Sequence, residues 1–112
     1  MNGITFVDKQ KAAFRRAGNH VAQWLIDKDI QCHEIYFDKK VISPEKDYFK
    51  YVIRVADTYT GRTYIFDMTC KGNRLELSHV ATSQNPRHLL PGDMVLRMSE
   101  ATSQFRVSST PW

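Results

Sequence analysis

The hydrophobic residues of this chain recur with helical spacing only once, near the start, and with a period of two along most of the remaining residues. Between Val7 and about Lys28, apolar side chains return every three or four residues, while polar residues gather on the opposite side. The pattern predicts one amphipathic helix of five or six turns, with Asp8 as its N-cap. Gly18 falls within the apolar stripe, so we expect the helix backbone to approach a sheet closely there.

The rest of the chain alternates between bulky and polar residues, which is the spacing of half-buried strands. Strands are predicted at residues 32–38, 48–57, 62–70, 74–80 and 94–98, and "QFRVSS" is a candidate for one more. Residues 39–47 are predicted to form a loop because they combine Ser-Pro with clustered charges. The side chains predicted to face the core in the two clearest strands are Phe49, Tyr51, Ile53, Val55, Tyr64, Phe66, Met68 and Cys70.

Short connections such as "DTYTG" and "KGN" force consecutive strands to pair as antiparallel hairpins. The sequence therefore predicts an α+β fold, in which one long N-terminal helix packs on an antiparallel sheet of four to six strands as a two-layer sandwich with meander connections. We expect residues 1–112 to form a single domain, since a chain of 112 residues is long enough to bury one core. The sheet face away from the helix is expected to be solvated and to carry the function.

The charge balance permits anionic partners without requiring them. Sixteen Lys and Arg residues against twelve Asp and Glu give a net charge of +4, which is compatible with nucleic acid or an acidic protein. No apolar run is long enough to span a bilayer, and the first residues do not resemble a signal peptide, so we expect a soluble cytoplasmic protein without a membrane partner. Cys32 and Cys70 are too few for a secreted disulfide scaffold and are expected to be reduced thiols packed as small hydrophobes.

Candidate binding residues lie on the predicted solvent side of the sheet and in the first half of the helix. Lys and Arg neutralise phosphates and tyrosine can stack on a base, so these residue types favour contact with nucleic acid. The candidates are Tyr48, Lys50, Arg54, Arg62 and Arg74 in the sheet region, and Arg15 and Arg16 on the helix. Asp67 and Glu76 occupy the same predicted rows. If they pair across strands with Arg54 and Arg74, the face is an ordinary solvated surface.

Metal and cofactor motifs are not found in the sequence. The residues that could supply metal ligands are His20, His33, His79, His88, Cys32 and Cys70, and none of them has zinc-site spacing. The glycines at positions 61, 72 and 92 lie in turns and not in a phosphate-binding loop. We therefore expect neither a metal nor a cofactor.

These features lead to the hypothesis of a small non-enzymatic binding protein that acts on nucleic acid or on a nucleic-acid-handling protein complex. Its size and lack of catalytic motifs fit an accessory or inhibitory factor of the type that phages and other mobile elements encode. A polar C-terminal tail with Phe105 and Trp112 would either dock on a partner or fold back on the core.

Two alternatives remain open. The order of a helix followed by an antiparallel meander, the size and the basic charge resemble in outline the small ribonuclease toxins of the barnase and RelE type. Metal-independent RNA cleavage would need a base such as His33 or His79 and a cation such as Arg54 or Arg62. The second alternative is a homodimeric protein-interaction module without nucleic-acid contact, favoured by the bulky Val52 and Ile65 on the predicted solvent face.

Overall fold

A single helix lies across an antiparallel sheet in the computed structural model, which describes residues 5–83 and 94–97. The elements are α1 (Phe6–Asp27), β1 (Glu34–Ser43), a 3-10 helix (Pro44–Lys46), β2 (Tyr48–Ala56), β3 (Thr63–Lys71), β4 (Arg74–Ser83) and β5 (Met94–Arg97). The strand order is β4-β3-β2-β1-β5, and all neighbours are antiparallel. The predicted two-layer α+β arrangement is confirmed.

The strands β1 to β4 form the predicted meander, whereas β5 lies at the opposite edge of the sheet from β4. Its four residues pair with the start of β1, and Leu96 stands opposite Ile35. Alternation in the sequence identified β5 but not its neighbour, because alternation carries no information on pairing. The predicted "QFRVSS" strand and the tail with Phe105 and Trp112 lie outside the described residues.

The N-cap of α1 lies three residues before the predicted position. Thr5 is the N-cap, and its hydroxyl accepts a hydrogen bond from the backbone N–H of Asp8 at 3.1 Å. The prediction of Asp8 as N-cap was therefore wrong. Asp8 lies in the first turn, where a carboxylate interacts favourably with the helix dipole.

Gly18 lies where α1 passes over β5, and it is buried. A Cβ atom at this position would overlap the side chain of Leu96. The expected close approach is thus confirmed, and the missing side chain makes room for the leucine.

The core lies between α1 and the inner face of the sheet. The four predicted inward residues of β2 and the four of β3 are all buried, which confirms the alternation in both strands. Aromatic rings join the two layers, since the Phe14 ring on α1 lies 4.8 Å from Tyr51 and 5.2 Å from Phe37 with edge-to-face geometry. The fully buried large side chains are Phe37, Phe49, Phe66, Leu25, Ile35, Ile53, Met68, Val21 and Val55.

The predicted loop at residues 39–47 is wrong in its first half. Residues up to Ser43 continue β1, which pairs with β2 through Val41 opposite Lys50 and Ser43 opposite Tyr48, with an irregular register near residue 40. This half of β1 is largely exposed, so its sequence does not alternate and looks like a loop. Pairing with β2 holds it in the sheet, and the 3-10 turn then makes the connection.

The Cys32 thiol is half-buried just before β1. Burial, aided by the negative charge of Asp57, raises its pKa from the ordinary value of 9.0 to about 11. Because only the thiolate is nucleophilic, we expect Cys32 in the folded protein to react with iodoacetamide about 100-fold more slowly than in the unfolded chain.

Peptide mapping by mass spectrometry after labelling at mildly alkaline pH would measure the rate at Cys32 alone. The same protein in concentrated urea is the control, since unfolding removes both the burial and the fixed position of Asp57. Equal rates in the two states would contradict the prediction.

Candidate nucleic-acid interface

Strand pairing arranges the side chains of the open sheet face, the face away from α1, in rows that cross the strands. At the end of the sheet that carries the β1–β2 and β3–β4 connections, the last row runs Ser43, Tyr48, Lys71, Arg74. The row next to it runs Val41, Lys50, Thr69, Glu76. Three of the predicted binding residues, Tyr48, Lys50 and Arg74, are thus brought together with Lys71, which the sequence analysis had not selected.

A cleft of about 600 Å³ opens at this end of the sheet. It is lined by Val41, Ser43, Lys46, Tyr48 and Lys71. None of these described lining residues is acidic. We call Lys46, Tyr48, Lys50, Lys71 and Arg74 the hairpin-end patch.

Three carboxylates lie beside the hairpin-end patch, and one of them, Asp47, is paired with Lys9 of α1. Glu45 accepts a hydrogen bond from the Ser43 hydroxyl at 2.8 Å, and Glu76 lies 3.5 Å from the Nε atom of Arg74. The second pair is predominantly exposed, and exposed ion pairs of this kind contribute little. Because Lys9 compensates Asp47, four cations against the remaining two carboxylates leave the patch positive.

Arg54, also predicted as a binding residue, is paired within the open face. Its guanidinium donates to both carboxylate oxygens of Asp38, at 2.5 Å and 3.0 Å, and its centre lies 5.6 Å from the centroid of the Tyr36 ring. The partner shown is Asp38 on β1, whereas the sequence analysis had considered Asp67 on β3. The Tyr36 hydroxyl in turn donates to Glu34 at 2.6 Å, which is the main reason that the pKa of Tyr36 is raised. This cluster is a structural network with its charges largely compensated.

The remaining predicted residues lie elsewhere. Arg62 is exposed in the β2–β3 connection, at the other end of the sheet from the hairpin-end patch. Arg15 and Arg16 are exposed on α1, across the sheet from the open face. The seven predicted residues therefore divide among separate surfaces and do not form one site.

A second concave surface, the helix–edge groove, lies between α1 and β4. Its volume is about 370 Å³. It is lined by Arg16, His20, Trp24, Phe66, Leu75, Leu77, Ser78 and His79. As in the cleft, no carboxylate is found among the described residues that line it. From the sequence, His20 and His79 were considered as metal ligands and His79 also as a ribonuclease base, and neither was connected with Arg16.

The rings in the helix–edge groove hold one another in place. The exposed His79 ring lies 4.9 Å from the Trp24 ring at an angle of 38°, and its Nε2 atom is 2.8 Å from the Thr82 hydroxyl. The Lys28 ammonium lies 4.9 Å from the centroid of the Trp24 ring. His20 is one helical turn before Trp24 on the same side of α1. The groove thus offers an apolar floor, a supported ring and positively charged or titratable groups.

The ribonuclease alternative named His33 or His79 as the base and Arg54 or Arg62 as the cation. Of these combinations, His79 and Arg54 face opposite sides of the sheet. His79 contacts Trp24 on the helix side, whereas Arg54 pairs with Asp38 on the open face. They cannot act on one phosphate. Residues 5–83 and 94–97 contain no group of three or more His, Cys, Asp or Glu side chains placed to hold a metal ion.

Comparison with known proteins identifies no relative of the chain. No family model, curated protein or solved structure matches the chain. In the part of the chain that the structure describes, no helix has the length and hydrophobicity needed to cross a membrane.

Proposed function

We propose that the protein binds nucleic acid through its phosphate backbone, with the hairpin-end patch as the principal contact. The observation that carries the proposal is a cleft lined by Lys46, Tyr48 and Lys71, with no acidic residue in its described lining. Two further cations lie next to it on the open face, since Lys50 follows Tyr48 on the same side of β2 and Arg74 stands opposite Lys71. Lys46, Lys71 and Arg74 are exposed and can reach a phosphate, while Tyr48 and Lys50 are half-buried and fixed in β2. Neutralising phosphates releases counterions, which is the main source of affinity in sequence-independent binding.

The composition of the patch supports a phosphate partner over an acidic protein. Lysine is depleted in the centres of protein–protein interfaces, and three of the four patch cations are lysines. Charged residues also disfavour a homodimer that pairs through the open face. The apolar side chains of Val52 and Ile65 have charged neighbours there, such as Arg54 and Asp67. Binding of this type fits an accessory or inhibitory factor of a nucleic-acid-handling complex.

The proposal is tested with the double variant Lys46→Ala, Lys71→Ala. Each substitution removes one phosphate contact, so we expect the dissociation constant for a short fluorescein-labelled oligonucleotide at low salt to rise roughly tenfold or more. Fluorescence anisotropy gives the constant directly. Circular dichroism of the variant checks that both exposed substitutions leave the fold intact.

A double variant with the same loss of charge elsewhere is the matched control. Lys11→Ala, Arg62→Ala removes two exposed cations, one from α1 and one from the β2–β3 connection. Its affinity should stay within about threefold of the wild type, since the remaining effect is only long-range electrostatics. Equal losses in the two double variants, or no binding of any oligonucleotide at low salt, would sink the proposal.

A further inference from the structure

The hairpin-end patch and the helix–edge groove lie on opposite sides of the sheet, and the β3–β4 turn lies between them at its end. Lys71 and Arg74 flank the turn, which consists of Gly72 and Asn73. A third cavity of about 410 Å³ lies on the helix side of this turn and shares Arg16 with the groove. It is lined by Asp8, Lys9, Ala12, Ala13, Arg16, Cys70, Gly72 and Asn73. Concave surface therefore lies on both sides of the turn, and on the helix side the third cavity meets the groove at Arg16.

The charges along this path favour phosphate contacts at two separate places. Asp8 is the one acidic residue among the described residues that line the third cavity, and Lys9 there is already paired with Asp47. Beyond them, Arg16 and His20 are one turn of α1 apart, a rise of about 6 Å. Both side chains line the groove without a competing carboxylate in its described lining. Phosphates are thus best held at the patch and again at Arg16 and His20.

The end of the groove has the chemistry of a base-binding site. His79 presents an exposed ring that Trp24 supports from the protein side, so a second flat ring can stack on it without rearrangement of the core. Leu75 and Leu77 supply apolar surface beside it. Stacking on a ring of this type tolerates any base sequence, because every base has a π-face.

We infer that the helix–edge groove binds an unstacked nucleobase on His79, and that the nucleic acid held by this protein is therefore single-stranded. The inference rests on the proposed function and adds the class of nucleic acid. In a duplex the bases are stacked and paired, and a duplex is too stiff to bend sharply around one β-turn. A single strand can lie on the patch, pass the turn and place one base in the groove.

Three probes separate the contributions of base, backbone and strandedness. They are a labelled single-stranded oligonucleotide, its duplex, and a single strand of equal length made only of abasic nucleotides. The wild-type protein is expected to bind the first probe roughly 5-fold to 100-fold more tightly than the abasic strand, the range expected for one stacked base.

Variants of His79 then locate the stacking ring. His79→Ala should lower affinity for the normal single strand to that for the abasic strand and leave abasic binding unchanged. His79→Phe should keep the preference for bases because it retains a ring without a charge. His33→Ala is the matched control, since His33 is exposed and lies outside the groove, and it should behave as the wild type.

Several results would overturn the inference. They are equal affinity for the normal and abasic strands, tighter binding of the duplex than of the single strand, or an unchanged base preference in His79→Ala. If the Lys46→Ala, Lys71→Ala variant still loses affinity in any of these cases, backbone binding stands and only the base site fails. If no oligonucleotide binds the wild-type protein, both ideas fail, and a protein strand paired to the edge of β4 becomes the favoured occupant of the groove.

Discussion

Replacing Phe49 by alanine is expected to lower the free energy of unfolding by about 3–5 kcal/mol, the usual range for removing a buried phenylalanine side chain. Phe49 is 1% exposed, and its ring lies 5.6 Å from Phe6, 6.0 Å from Tyr51 and 6.4 Å from Phe14. The ring therefore joins the first half of α1 to β2. Its loss would leave a cavity at the place where the two layers meet.

Urea unfolding followed by tryptophan fluorescence and circular dichroism measures this change. The matched control is Tyr59→Ala, which removes an aromatic ring that is 80% exposed in the β2–β3 connection and should change the stability by less than about 0.5 kcal/mol. The slope of the unfolding free energy against urea concentration should stay the same if the substitution removes only native contacts. A loss below about 1 kcal/mol for Phe49→Ala would mean that α1 does not depend on this contact.

The parts of the fold that the sequence predicted are those in which local periodicity and burial coincide. In β2, every second residue from Phe49 to Val55 is buried by α1, so the alternation that the sequence shows is the alternation that packing requires. The same holds for residues 64–70 of β3. Gly18 was also interpreted correctly, because a glycine in an apolar stripe has few other reasons to be there.

Errors arose where a distant partner decides the local structure. The second half of β1 is exposed and charged, and it is a strand only because β2 pairs with it. The position of β5 next to β1 is likewise a property of the sheet and not of residues 94–97. From the sequence, Asp67 on β3 was considered as the partner of Arg54, and pairing with β1 brought Arg54 to Asp38.

The candidate interface was predicted only in part for the same reason. Tyr48 and Lys50 were selected from one strand, but Lys71 joins them through strand register and Lys46 through the 3-10 turn. The groove was missed entirely, since His79 comes next to Trp24 only when α1 lies across the sheet. A histidine that alternates with Leu75 and Leu77 in β4 was the available signal, and it was interpreted as a possible metal ligand or ribonuclease base.

Strong salt dependence is the second large effect that we expect. If the four cations of the hairpin-end patch and Arg16 each neutralise one phosphate of a single strand, the logarithm of the affinity should fall with the logarithm of salt concentration at a slope of about −3.5. The affinity would then drop roughly 100-fold between about 50 mM and 200 mM salt. Anisotropy titrations at several salt concentrations give the slope.

Two variants test how much the hairpin-end patch and the helix–edge groove each contribute to this slope. Lys46→Ala, Lys71→Ala removes two of the five ionic contacts, so the slope should become shallower by about 1.4, whereas the Lys11→Ala, Arg62→Ala control should keep it near the wild-type value. His79→Ala should weaken binding at every salt concentration without changing the slope, because stacking is not screened by ions as phosphate contacts are. A wild-type slope flatter than about −1 would contradict the patch as the phosphate contact. An equal slope for the patch variant and the wild type would do the same, since the ions released on binding would then come from elsewhere on the protein.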